Sequence, residues 1–370
     1  MGHEVTLVTF RDPDDNSGAP ESAFEGRTEW LPMGVTSRLW SPYRTHRLFF
    51  RAANLYNERA LSQLRSLLTA VDADLLWCEY SATMPLAHHV VVRDGFDCAV
   101  VCREHNDEVR HQLDQRYVEY ILSDARVPSL STVKATLTDL VGTIRCESLL
   151  FETADVVAPI SKRDCQTFAK RHDSDVITHI PFHSPKELPQ HEGQETDQLD
   201  AVFLGSTFKY VLNEEGATFL ASDLVPELQH RNIDVRIHLL GDSPPAVAQD
   251  VDDRWLQCHG FVNDLDAFLN NMDISLVPVF HGTGFKVKCY ESLRRGFPVI
   301  ASPRALDEFD GTNGETYVEA TTATEFADAL ERLQDVALRK EMGAAAAAQT
   351  DRSFCRKRTI SVLETLLNGL

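Results

Sequence analysis

A glycine-rich run followed by two lysines and a glutamate carries the clearest chemistry in the chain. Residues 282–288 read Gly-Thr-Gly-Phe-Lys-Val-Lys, and Glu291 follows three residues later. An apolar run ending at Pro278 predicts a strand before this loop, and a helix is expected to begin near Lys286. Free amide N–H groups at a helix start, next to lysines, bind anions such as a diphosphate. Glu291 lies just over one turn beyond Lys286, where its carboxylate can accept hydrogen bonds from two ribose hydroxyls.

Each of these residues has an ordinary structural interpretation as well. A glycine-rich loop alone is a weak signal of a ligand site. The alternative interpretation of Glu291 is a carboxylate on the exposed surface of a helix, as most helical glutamates are. Lys288 fits a solvated helix face equally well. The loop, the two lysines, Glu291 and the apolar run after Pro298 occur together, however, and the combination favours a ligand site.

Composition excludes several classes of protein. The 370 residues include 56 acidic and 36 basic side chains, a net charge of −20, which opposes binding of nucleic acid phosphates. Apolar runs have the length of buried strands rather than of membrane spans.

The eight cysteines are scattered, which favours buried reduced thiols over a zinc site and is weakly indicative of the cytoplasm. Two Asp-x-Asp patterns, 72–74 and 264–266, precede a strand and open a helix; we interpret both as structural and expect no obligatory metal.

Strand-like and helix-like stretches alternate along the chain, which predicts an α/β protein with parallel sheets covered on both faces. The expected elements include strands at 156–159 and 274–277, helices at 44–70 and from Glu214 to about Gln229, and a C-terminal pair of helices that includes the alanine run 344–348. A length of 370 residues favours two domains. The region 180–199 is rich in proline and polar residues and is the best linker candidate. We therefore predict two Rossmann-like units with a ligand crevice at the carboxyl ends of their strands. The expected ranges are an N-terminal domain at 1–182, a linker at 183–199, a C-terminal domain at 200–349 and a C-terminal helix at 350–370.

The segment from Gly260 to Ser302 resembles the donor-binding half of the glycosyltransferase group 1 family (family 4), retaining enzymes of the GT-B fold that use nucleotide sugars. Glu291 matches the second of two glutamates that this family places eight positions apart, and its implied role is to bind the ribose. Thr283 stands at the position of the first glutamate, which in the family contacts the donor sugar. The chain looks instead like a branch with a Gly-Gly-Thr-Lys-x-Lys pattern, here GTGFKVK.

The resemblance assigns further donor-binding residues. Gly205, Ser206 and Thr207 follow the first strand of the second half and match the phosphate-facing loop, with Ser206 where the family often has arginine. Lys286 would supply the missing positive charge, and Lys209 is a weaker candidate. Phe261, in a Gly-Phe-Val run, lies where the family holds the base. The remaining donor-binding residues implied by the loop are Gly282, Thr283, Gly284 and Phe285.

On the opposite side of the crevice, His105 is the one candidate catalytic residue. It belongs to an Arg-Glu-His-Asn run, 103–106, and the family often has a His-Asn pair facing the sugar at this place. The alternative is that this run caps the next helix through Asn106. The resemblance also implies that the C-terminal helix, beginning near Phe354, crosses back to the first domain.

Transfer of a sugar from a nucleotide-diphosphate sugar to a hydroxyl acceptor, with retention, is the function that the resemblance implies. The acceptor would be a glycan, a lipid-linked acceptor or a polysaccharide precursor, and no cofactor beyond the nucleotide sugar is expected. The alternatives are a nucleotide-sugar epimerase or phosphorylase on the same fold, or a non-catalytic nucleotide-binding relative. A basic-aromatic patch at 43–51 suits contact with a membrane surface at the inner face, although an ordinary solvated helix is slightly preferred.

The start of the chain matches the second strand of the family's first domain. Residues 2–5 read Gly-His-Glu-Val, and a strand is expected at 4–10. By this resemblance we expect the first strand–loop–helix unit of the N-terminal domain, which borders the donor and the acceptor, to be missing from the sequence. The two alternatives are that the true start lies upstream or that the chain is a shortened form.

Overall fold

The computed structural model describes residues 4–11, 27–32, 55–123, 129–183, 188–191 and 198–370. Its strands form three parallel sheets, of two, three and six strands. The strands, in chain order, are β1 (Thr6–Arg11), β2 (Arg27–Pro32), β3 (Leu75–Glu79), β4 (Ala99–Glu104), β5 (Val156–Pro159), β6 (Leu199–Thr207), β7 (Val235–Asp242), β8 (Leu256–Gly260), β9 (Ile274–Val277), β10 (Val299–Ala301) and β11 (Val318–Glu319).

The helices connect and cover these sheets. They are α1 (Glu58–Val71), α2 (Met84–His88), α3 (Glu108–Leu122), α4 (Leu130–Thr153), α5 (Lys162–Ala169), α6 (Val211–Phe219), α7 (Val225–Arg231), α8 (Ala246–Gln249), α9 (Leu265–Leu269), α10 (Val287–Arg294), α11 (Pro303–Leu306), α12 (Ala323–Arg332), α13 (Val336–Ser353) and α14 (Arg356–Leu367). Wider helical turns at His89–Arg93 and Leu220–Leu224 continue α2 and join α6 to α7.

The six-stranded sheet has the order β11-β10-β9-β6-β7-β8, and the three-stranded sheet the order β3-β4-β5. Every residue of β9 and of β10 is buried. Strands of this kind read as continuous apolar runs because helices cover both faces of a parallel sheet. The sequence signal that predicted these strands is therefore a direct consequence of their burial.

Most helix starts are fixed by short polar side chains that accept backbone N–H groups. The capping residues are Asn57, Asp107, Ser129, Ser161, Asp264, Ser302, Thr322 and Asp335. Helix α10, which follows the glycine-rich loop, begins differently. Its N-cap residue is Lys286, whose side chain has no acceptor, and no side chain caps it.

The α/β prediction with parallel sheets is confirmed, and strands β5 and β9 have the bounds expected from the sequence. The helix expected from Glu214 begins earlier, at Val211, because the Asn213 side chain bonds the preceding loop and holds the first turn. The expected C-terminal pair of helices corresponds to α12 and α13, and the helix expected after Phe354 corresponds to α14. The helix expected at 44–70 is described from residue 55 on, and α1 begins at Glu58 after the capping residue Asn57. The patch at 43–51 lies outside the described residues.

Helix α14 packs against the N-terminal sheet. Its residue Leu366 shares a buried cluster with Val101 of β4, Ala158 of β5 and Ile180. Within the described part of the chain, no helix is long and apolar enough to cross a membrane.

Candidate functional site

The loops at the carboxyl ends of the two larger sheets meet each other. Gly284, in the loop after β9, lies against the segment after β4. A Cβ atom on Gly284 would be 2.3 Å from the His105 carbonyl oxygen and 2.2 Å from Asn106 Oδ1, and the residue has φ +76°. Only glycine fits this close approach. In open α/β sheets the carboxyl ends of the strands are where ligands bind.

The amides of the glycine-rich loop donate to side chains of the N-terminal half. Gly282 N–H donates to Asp114 Oδ2 at 3.0 Å, and Gly284 N–H donates to Asp164 Oδ2 at 3.0 Å. The Thr283 hydroxyl donates to the Asp107 carbonyl oxygen at 3.2 Å. The amides of Gly282 and Gly284, which the sequence predicted to hold a diphosphate, are thus bonded to carboxylate oxygens in this structure. Carboxylate oxygens are anionic acceptors, as phosphate oxygens are.

Lys286 is bonded within its own loop. Its Nζ atom donates to the carbonyl oxygens of Thr283, at 2.6 Å, and Gly284, at 3.3 Å. Burial lowers the pKa of Lys286 to about 8, with Asp164 acting in the opposite direction. Lys286 therefore stabilises the turn of the glycine-rich loop in this structure.

Lys288 is half-buried as a residue, but its ammonium group is buried, so the interpretation as a solvated side chain is wrong. Its Nζ atom lies 2.5 Å from Asn213 Oδ1 and 4.9 Å from the centre of the Phe203 ring. Burial, followed by the nearby Lys286 charge, lowers the pKa of Lys288 to about 7. A bound anion would stabilise an ammonium group at this buried position strongly, because a low dielectric constant strengthens the attraction between the two charges.

Asn213 connects Lys288 to the loop after β6. Its Nδ2 atom donates to the carbonyl oxygens of Gly205, at 2.6 Å, and Thr207, at 2.9 Å. Ser206, between them, has φ +58°. The structure therefore brings Gly205, Ser206 and Thr207 close to Lys288. Asn213 fixes the conformation of this loop through its two hydrogen bonds.

Glu291 lies on the same helix, three residues after Lys288, and residues at this spacing share a helix face. Its side chain is half-buried, and no described residue forms a hydrogen bond or ion pair with its carboxylate. Its neighbour Ser292, in contrast, is buried and bonded to Ser275 at 2.7 Å. Glu291 is thus the member of this helix turn whose polar group is available for a ligand.

His105 is held by its neighbours from β3. Its Nε2 atom lies 2.6 Å from Glu79 Oε2, and its ring stacks on Tyr80 with centroids 4.1 Å apart. The cap of α3 is Asp107, whose side chain accepts from Arg110 N–H, so the alternative that the His-Asn pair caps this helix is wrong. The hydrogen bond to Glu79 favours a proton on Nε2 of the His105 ring.

Phe261 and the Asp-x-Asp pattern at 264–266 follow β8, the strand at one edge of the six-stranded sheet. Phe261 follows β8 and is 84% exposed, free to stack on a planar group. Asp264 caps α9, accepting from Ala267 N–H at 2.9 Å, and Asp266 pairs with Arg295 at 2.6 Å. The part of the chain that the structure describes holds no cluster of three or more metal-ligating side chains.

Several residues at the junction were not found from the sequence. Glu308 accepts from Ser161 Oγ at 2.7 Å and from Lys162 N–H at 2.9 Å, at the start of α5. Burial, followed by the Asp107 charge, raises the pKa of Asp164 to about 6. The one available sequence signal was Ser161 before a helix; the partners are more than 100 residues away in sequence and only the fold brings them together.

Comparison with known proteins shows the fold, and a family model matches one part of the chain. Residues 198–335 match the family model described as Glycosyl transferases group 1. A search of curated proteins finds no significant match.

Among solved structures, sucrose-phosphate synthase from Thermosynechococcus elongatus is similar with a TM-score of 0.71 and 17% identity over 100% of this chain and 89% of that chain. HepE from Anabaena, solved with UDP-glucose, gives a TM-score of 0.62 and 13% identity over 98% and 99%. A glycosyltransferase from Rickettsia africae gives a TM-score of 0.60 and 11% identity over 98% of this chain and 97% of that chain.

The likeness to these structures shows a common architecture with two Rossmann-like domains. The chain has the GT-B fold, and over residues 198–335 it is similar to the Glycosyl transferases group 1 family.

Proposed function

We propose that the protein is a glycosyltransferase that moves a sugar from a nucleotide-diphosphate sugar to a hydroxyl acceptor, with retention of the anomeric configuration. The observation that carries the proposal is the arrangement at the start of α10. It combines a helix N-terminus without a side-chain cap, the buried ammonium group of Lys288, and the Glu291 carboxylate, to which no described residue bonds. The group 1 domain match and the UDP-glucose bound to the structurally similar HepE support the same reading.

In this proposal the diphosphate lies between the 205–207 loop and the start of α10. Lys288 supplies the positive charge, and Lys286 adds a second while it holds the loop. Glu291 accepts the ribose hydroxyls, and Phe261 stacks on the base. Both cations are partly desolvated, and their interaction with a diphosphate is therefore stronger than it would be in water.

The sugar lies toward the N-terminal half, next to His105. Thr283 stands at the position where the family has its first glutamate, and its hydroxyl is buried and bonded to the Asp107 carbonyl oxygen. The loop therefore lacks the carboxylate that is common at this position. His105, fixed by Glu79 and Tyr80, would accept a hydrogen bond from a sugar hydroxyl through its Nδ1 atom.

Transfer breaks the bond between the anomeric carbon and the diphosphate oxygen, and the electron pair leaves with the diphosphate. The acceptor oxygen forms the new bond to the same carbon on the same face, and its proton passes to a phosphate oxygen. No side chain of the acceptor side is needed as a nucleophile. The work of the protein is electrostatic: Lys288, Lys286 and the helix start stabilise the negative charge of the leaving group.

A panel of UDP-, GDP-, ADP- and dTDP-sugars tests the proposal. Isotopically labelled donors are incubated with the protein, with and without simple glycoside acceptors, and free sugar, product and nucleoside diphosphate are separated. Release of a nucleoside diphosphate with one donor class supports the transferase. NMR of the first-formed anomer tests retention, because an α-linked donor must give the α product.

The same experiment separates the alternatives. An epimerised nucleotide sugar would identify an epimerase, and sugar 1-phosphate formed with inorganic phosphate would identify a phosphorylase. Nucleotide binding without any turnover would identify a non-catalytic relative. Glycans, lipid-linked acceptors and polysaccharide precursors remain the acceptor classes to be assayed next; with no binding at all, the proposal would be abandoned.

A further inference from the structure

Helix α4 has an exposed apolar stripe opposite the face that it packs on the protein. The buried residues of this helix are Gly142, Thr143, Cys146, Leu149 and Leu150. The outer stripe consists of five large apolar residues, each at least 40% exposed, namely Leu130, Val133, Leu137, Val141 and Ile144. A surface helix normally presents polar residues outward, and a contiguous apolar stripe of this kind marks a contact surface.

The spacing of the stripe is symmetric about its central residue. Val133 and Val141 lie four positions before and after Leu137, and Leu130 and Ile144 lie seven positions before and after it. If two copies of this helix cross antiparallel at Leu137, each residue of the stripe meets a stripe residue of the other copy. Such self-complementarity is what a two-fold interface requires, and spacings of three and four residues are those of helix-to-helix seams.

Charge also favours a second copy at this place. The chain carries a net charge of −20, so two copies repel over most of their surfaces. The segment 130–146, however, contains Lys134, Arg145 and one acidic residue, Asp139, a net charge of +1. Asp139 is itself paired with Arg116 of α3 at 3.2 Å. The stripe is therefore a part of the surface where two acidic chains can meet without carboxylates facing each other.

The apolar area suits a modest dimer. Five side chains of this size contribute roughly 100 Å² each, so that two copies bury roughly 1,000 Å², the lower bound for a specific interface. A membrane is a weaker match for the same stripe, because Lys134 and Arg145 are the only basic residues of 130–146 and the chain as a whole is strongly acidic.

We propose that the outer face of α4 is a homodimer interface in which two copies of the helix cross antiparallel at Leu137. The interface lies on the N-terminal half of the chain. The proposal is independent of the proposed transferase activity, since it concerns only how copies of the chain associate.

Sedimentation equilibrium of the full chain over nanomolar to micromolar concentrations tests the association. We expect a monomer–dimer equilibrium whose dissociation constant rises at least about 100-fold in Leu137→Glu, because two carboxylates would meet at the two-fold axis. Val92→Glu, at another apolar position that is 54% exposed, is the matched control and should leave the dimer unchanged. Thermal unfolding of each variant verifies that it is folded.

Cysteine cross-linking tests the antiparallel register, in a background where the exposed Cys258 is replaced by serine. Leu137→Cys should form a disulfide between copies on mild oxidation, because residue 137 meets its own counterpart. Leu130→Cys alone should not, whereas Leu130→Cys mixed with Ile144→Cys should. A chain that stays monomeric throughout, a dimer that survives Leu137→Glu, or binding of the stripe to vesicles of anionic and zwitterionic lipid without dimers would overturn the proposal.

Discussion

The Nζ atom of Lys288 lies 2.5 Å from Oδ1 of Asn213, and the same asparagine donates through Nδ2 to the carbonyl oxygens of Gly205 and Thr207. One amide side chain thus links the start of α10 to the loop after β6. Its donors and its acceptor are used by these contacts, so the cation and the loop are held at a fixed spacing. A diphosphate between them would find a site that is already assembled.

Replacing Lys288 by methionine should weaken binding of the nucleoside diphosphate about 100-fold, because a buried cation that pairs with a phosphate contributes more than a surface one. Isothermal titration calorimetry measures the change. Lys340→Met, an exposed lysine of α13, is the control and should bind as the native chain does. If Lys286→Met weakened binding and Lys288→Met did not, the cation would have been assigned to the wrong residue.

Donor binding should take up a proton near pH 8. Burial lowers the pKa of Lys288 to about 7 in the ligand-free chain, so the group is mostly neutral at pH 8. A bound diphosphate favours the charged form, which raises the pKa and draws a proton from the solvent. Affinity therefore falls as pH rises from 7 through 9.

Calorimetry in two buffers of different ionisation enthalpy measures that proton uptake directly. The native chain should show it at pH 8, and Lys288→Met should show clearly less. Equal uptake in both would assign the proton to another group, with Lys286 the first candidate because its pKa is lowered to about 8.

The stability of the chain should depend on pH through Asp164. Burial raises the pKa of this carboxyl to about 6 from 3.8, so between these two values the folded chain binds more protons than the unfolded chain. Stability contributed by the protonated form is complete below about pH 4 and is lost as pH rises through 6. Two units correspond to about 3 kcal/mol.

Urea unfolding at pH 4.5 and 6.5 measures this contribution when the native chain is compared with Asp164→Asn, which keeps an oxygen for Gly284 N–H. The native chain should lose more stability over the interval than the variant. Identical pH dependence of the two chains would contradict the assignment.

Glu308→Ala should destabilise the chain by about 3–5 kcal/mol, since it leaves the Ser161 hydroxyl and the first amides of α5 without their acceptor in a buried setting. Glu315→Ala, an exposed carboxylate of the same region, should change stability by less than about 0.5 kcal/mol. Urea unfolding curves of both variants give the comparison. A small effect at Glu308 would mean that water replaces the carboxylate at the helix start.

The local features of the chain were predictable from the sequence. Buried strands such as β9 and β10 appear as continuous apolar runs, and the glycine-rich loop followed by lysines marks the start of α10. The family resemblance that these residues carry is in agreement with the group 1 match to 198–335 and with the GT-B fold.

Contacts between distant segments could not be predicted in the same way. The pairing of Asp164 with the Gly284 amide, and of Lys288 with Asn213, depends on how two separately formed sheets meet. Neither the hydrophobic periodicity nor the spacing of motifs in the sequence contains information about how the two sheets pack together. Lys288 shows the difference most clearly: its sequence neighbourhood is compatible with solvent, and only the fold places it over the Phe203 ring.

A double-mutant cycle tests whether Glu291 binds the ribose of a nucleotide-sugar donor. Calorimetry would compare the native chain and Glu291→Gln, each with the nucleoside diphosphate of the donor that the panel selects and with its 2′,3′-dideoxy analogue. Glu341→Gln, an exposed helix carboxylate, is the control. We predict that removing the hydroxyls weakens binding to the native chain at least about tenfold and leaves binding to Glu291→Gln nearly unchanged. Equal losses in both chains would show that Glu291 does not contact the ribose and would contradict the account.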